Sequence, residues 1–90
     1  MMTDSEIILR CADAIGRDRD QYDPLHDDAQ ALSLVKALHI EILPVNDGWD
    51  AIISQTALHP TRSVWYVAGN DLNRCICLCV ARMHRDVAAI

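Results

Sequence analysis

Ninety residues, 51% of them apolar and 23% charged, are enough for one domain with a single core and exclude a disordered tail. The formal net charge of -5 argues against sequence-independent nucleic-acid binding, where lysine and arginine contacts to phosphate carry the affinity. An acidic chain of this size suits a basic protein surface instead, or a small ligand held in a local pocket.

The first element is a helix over residues 4–15. Thr3 and Glu6 have the spacing of a capping box, with Thr3 capping the first turn and Glu6 reaching back. Ile7, Ile8, Cys11, Ala14 and Ile15 keep helical spacing, and Gly16 is a natural stop. The polar stretch from Arg17 to Gln21 is a solvated linker. A second helix is expected over 24–38, with Asp23 as N-cap, Pro24 at the first helical position, and Asp27 and Asp28 in the first turn. Leu25, Ala29, Leu32, Val35 and Leu38 trace its apolar face, widened by Ala31 and Leu34.

The period then changes to two. Ile40, Ile42 and Val45 mark a strand that Pro44 confines to an edge or a bend. Asn46-Asp47-Gly48 is a hairpin turn, and residues 49–55 form the return strand, with Trp49, Ala51 and Ile53 on one face. Thr56 to Arg62 is a loop, and residues 63–68 are a third strand rich in β-formers. A last helix runs from Leu72 to about Ala88. Its middle, Cys75 to Ala81, is apolar almost all round. Either it sits centrally against the sheet and the other helices, or one flank meets a second copy in a homodimer. The fold expected is α+β, a three-stranded antiparallel meander with helices packed on it, order ααβββα, in a single domain. Its last five elements have the order of a double-stranded-RNA-binding domain, but the basic residues are scattered and the charge is wrong for that role.

The start of the chain carries no signal-peptide pattern, and no apolar run is long enough to span a membrane. The expected setting is the reducing cytoplasm, with Cys11, Cys75, Cys77 and Cys79 reduced and buried. Cys75-x-Cys77-x-Cys79 suggests a metal site, but alternate residues on a helix diverge by about 200°. Buried small hydrophobes are the better reading. No triad order, Gly-rich phosphate loop or His-x-x-x-His pair occurs, so neither an enzyme nor a cofactor is expected. The residues that suit a ligand or partner fall in two sets. Tyr22, His26, Asp27 and Asp28 gather acidity at a helix start, joined by Asp18, Asp20 and Asp23. Trp49, Trp65 and Arg62, with His59 nearby, combine stacking surface and a cation, which suits a nucleotide-like ligand.

The segment Tyr22 to Leu32, then Ile40-Glu41-Ile42 and Gly48-Trp49-Asp50-Ala51, resembles small bacteriophage and prophage proteins of the NinX-like type. Their final helix is entered through Asn-x-Arg, whereas here Asn73 is followed directly by Arg74. The resemblance implies phage origin, a host bacterial cytoplasm and an accessory role, and it brings no catalytic residues. It suggests a counter-defence inhibitor that occupies a host protein surface, in the manner of anti-CRISPR proteins. The alternative is a protein that sequesters a nucleotide signal.

Overall fold

The computed structural model describes residues 1–55 and 63–88. The order is α1 (Asp4–Ala14), α2 (Asp28–Leu38), β1 (Glu41–Val45), β2 (Gly48–Gln55), β3 (Ser63–Gly69) and α3 (Leu72–Ala88). The strands form one antiparallel sheet in the order β1-β2-β3, and the fold is α+β. The loop expected between β2 and β3, with His59 and Arg62, lies outside the described residues.

Helix α1 starts where its cap requires. The Thr3 hydroxyl accepts from the Glu6 amide at 3.2 Å. Glu6 does not reach back to complete the box, because its carboxylate pairs with Arg10 one turn on, at 3.4 Å. At the other end Gly16 takes the left-handed conformation, φ +66°, and lets the Arg17 amide return to the Ala12 carbonyl at 2.8 Å.

Helix α2 begins four residues later than the sequence suggests. Asp23 holds a turn instead, in which its carbonyl accepts from the amides of His26 and Asp27 at 3.1 and 2.9 Å. That turn drives Tyr22, Pro24 and Leu25 into the core. Asp27 is the true N-cap, accepting from the Gln30 amide at 3.0 Å. The buried stripe of α2 is rotated accordingly: Ala31 and Leu34 are inside, Val35 and Leu38 are half-buried, and Ala29 and Leu32 face out.

The meander is built on period two. Ile42, Ala51, Ile53, Trp65 and Val67 share one face by register and meet α3. Leu43, Val45, Val64 and Tyr66 stand exposed on the other face. The hairpin turns at Asn46-Asp47, with Asp47 left-handed at φ +64°. Gly48 is needed for a different reason. A β-carbon there would fall on the Gly69 carbonyl oxygen, so only glycine lets the start of β2 lie against the end of β3.

Helix α3 is the spine. It packs on β2 and β3 and against α1 and α2. Cys75, Ile76, Cys77, Cys79, Val80 and Ala81 are all buried. Its middle turns are therefore covered on several sides within one chain. Among the described residues no helix is long and apolar enough to cross a membrane.

Candidate functional site

The residues that the sequence offered for binding do not converge on one place. Tyr22 is buried, 4% exposed, with the Arg17 guanidinium over its ring at 4.7 Å. Its hydroxyl has no hydrogen-bond partner among the described residues, and burial pushes its pKa up to about 12, helped by the neighbouring thiols of Cys11 and Cys77. Tyr22 is thus a core residue. His26 is exposed and pairs with the Asp23 carboxylate at 2.9 Å. Asp27 caps α2. Trp49 stands four residue steps along β2 from Ile53, the register partner of Trp65, a span of about 13 Å along the strand. The indole N–H of Trp65 donates to Asp86 at 2.8 Å and holds that carboxyl below the usual carboxylate range. Both tryptophans are half-buried, and they stand at separate places along the sheet. Arg62 lies outside the described residues.

The cysteines divide between two directions, as helical divergence requires. The Cys11 thiol donates to the Cys77 carbonyl at 3.3 Å, joining α1 to α3. The Cys79 thiol faces the sheet, donating to the Trp65 and Ala51 carbonyls at 3.4 and 3.6 Å. Burial raises the Cys79 pKa to about 11, and burial also raises that of Cys75. For Cys77 the thiol of Cys11 and burial act together in the same direction. These are inert thiols. Among the described residues no three His, Cys, Asp or Glu side chains are grouped to hold a metal ion.

One member of the acidic set does line a cavity. Between α2 and the start of α3 lies an open groove of about 700 Å³. Leu32, Leu72 and Ile76 form its apolar wall, and Asp28, Asn70, Asp71 and Asn73 its polar rim. Asp28 and Leu32 are one helical turn apart, so they share the flank of α2 that faces the groove. Asn73 donates to Asp28 across it at 2.8 Å and ties the two helices together. Asp71 caps α3 by accepting from the Arg74 amide at 3.2 Å. Leu32 is 53% exposed on that flank, one of several large apolar side chains that stand exposed among the described residues. The arrangement is a greasy trough with two carboxylates on its edge. It suits an apolar side chain that carries, or stands beside, a positive charge.

Asp28 was readable from the sequence as part of the acidic helix start. Helical spacing puts Leu32 on the apolar face of α2, whereas the structure leaves it exposed, and the α3 half of the groove has no local signal in the sequence. No family model, curated protein or solved structure matches the chain.

Proposed function

We propose that the chain is a non-enzymatic binding protein that occupies a partner protein's surface, taking a basic and apolar segment of it in the groove between α2 and α3. The observation that carries this reading is Leu32, left exposed beside Asp28 and across from Asp71. Apolar contact supplies affinity and the two carboxylates supply orientation and rate. With the resemblance to NinX-like phage proteins, the natural target is a host bacterial protein, and the natural role is to block it stoichiometrically as a counter-defence inhibitor. The nucleotide-sequestering alternative loses ground because its two tryptophans sit apart on the sheet.

The test is affinity capture from phage-infected bacteria with the wild-type chain and with Leu32→Lys, each at about 0.05 and about 0.5 M salt, where screening lengths differ several-fold. A partner taken by the wild type, lost to Leu32→Lys and weakened by salt supports the proposal. The same proteins in all four samples would defeat it. So would a nucleotide adduct of fixed stoichiometry in native mass spectrometry that Leu32→Lys leaves intact.

A further inference from the structure

The flank of α3 that faces away from the groove is basic. Arg74, Leu78, Arg82 and Arg85 follow at spacings of four, four and three, which places them in one line along the helix. Met1 and Met2 lie beside this line and close a cleft of about 230 Å³ with it. Leu78 is two residues beyond Ile76, about 200° round the helix, so the cleft faces away from the acidic groove.

The cleft runs against the charge of the molecule. The chain has eight lysines and arginines and a net charge of -5, yet three of the eight line this one small space. Arg74 reaches Asp4 at 2.9 Å and Arg85 reaches Asp86 at 3.2 Å. Arg82 has no acidic partner among the described residues. Half-buried Leu78 and Met2 flank the guanidinium groups and thin the water around them, which strengthens any charge contact made there. A guanidinium fork fits two oxygens of one planar or tetrahedral anion. The volume falls below the roughly 300–1,000 Å³ of sites for drug-sized ligands, so the cleft has room for one anionic group and not for a whole nucleotide.

We propose that this cleft is a binding site for a single oxyanionic group, carboxylate or phosphate, with Arg82 as the principal contact and Arg85 as the second. The site is separate from the groove between α2 and α3 and stands or falls independently of it. It would give the protein two faces of opposite charge on opposite sides of α3.

The experiment is an NMR titration of the full chain that follows the arginine side-chain N–H signals, with an acetylated pentaglutamate peptide in one arm and inorganic phosphate in the other. Saturable shifts are expected at Arg82 and Arg85 and in the neighbouring Leu78 and Met2. Arg82→Gln should weaken binding by about ten-fold or more, as loss of a charge-assisted contact does. Because Arg82 is exposed, that variant should melt with the wild type. Arg19→Gln, in the exposed connection between α1 and α2 and not among the residues that line the cleft, is the control for general charge and should leave affinity unchanged. Tighter binding of the peptide would assign the site to acidic side chains, and tighter binding of phosphate to phosphate esters. The proposal is overturned if neither probe gives saturable shifts, or if Arg82→Gln and Arg19→Gln act alike.

Discussion

Leu32 and Leu34 sit two residues apart on α2 and should behave in opposite ways. Leu34 is fully buried, whereas Leu32 is 53% exposed. Truncating Leu34 to alanine removes three carbon atoms from a filled space, and the walls relax only in part. The expected cost is about 3 kcal/mol, within the usual range of 2–5. A chain of this length has on the order of 5–13 kcal/mol of stability, so the loss is a large share of it. In a thermal melt each kcal/mol is worth roughly 4–8 °C for a domain of this size, so Tm should fall by roughly 12–24 °C. Leu32→Ala should stay within about 0.5 kcal/mol of the wild type, because little burial is lost and alanine favours the helix. Urea or thermal unfolding followed by circular dichroism measures both. If Leu32→Ala costs as much as Leu34→Ala, the burial stripe assigned to α2 is wrong. The groove, and the function proposed for it, would go with it.

Three further outcomes follow from the geometry. Asp27→Ala removes the cap of α2 and should cost about 1 kcal/mol, whereas Asp23→Ala, if Asp23 were the cap, would cost the larger amount; a urea titration of the pair decides the helix start. The carboxyl of Asp86 is held low by the Trp65 indole, so its folded pKa lies below its unfolded one. Its contribution is therefore present above about pH 4 and is lost as acid protonates the folded group, and the fall of Tm between roughly pH 4 and 2 should be shallower in Trp65→Phe than in the wild type. The four cysteines should react with a thiol reagent at neutral pH only as fast as the protein opens, so guanidinium should raise the labelling rate by orders of magnitude; one rapidly reacting thiol in the native state would contradict the burial described.

Much of the fold was legible because the sequence changes period where the chain changes structure. The alternation through Ile40, Ile42, Ala51 and Ile53 is that of a half-buried strand, and the apolar girth of Cys75 to Ala81 announces a helix covered on several sides. The start of α2 was not legible, since Asp23-Pro24 and Asp27-Asp28 are both good start signals. What decides between them is tertiary: Tyr22, Pro24 and Leu25 gain burial only if the chain turns first. The end of α2 falls at Leu38, where the spacing of its apolar residues ends. His39 adopts the left-handed conformation, φ +52°, at a place usually marked by glycine. The groove combines residues from two helices more than thirty positions apart, a pairing no local pattern contains. The arginine cleft is different. Its spacing of four, four and three is present in the sequence, but Arg74, Arg82 and Arg85 look scattered along the chain and come together only round α3.

The union of α1 with α3 shapes how this chain must assemble. The contacts of the sheet are hairpins between neighbours in sequence, whereas the Cys11 thiol meets Cys77 and Arg10 meets His84 across 66 and 74 positions. Closing so long a loop costs conformational entropy that nothing returns until α3 has already been laid on the strands. Helix α1, although it precedes the sheet in the chain, is therefore expected to dock late. Until it does, the Cys77 side of α3 stays bare, and the newly made chain is most exposed to aggregation in that interval.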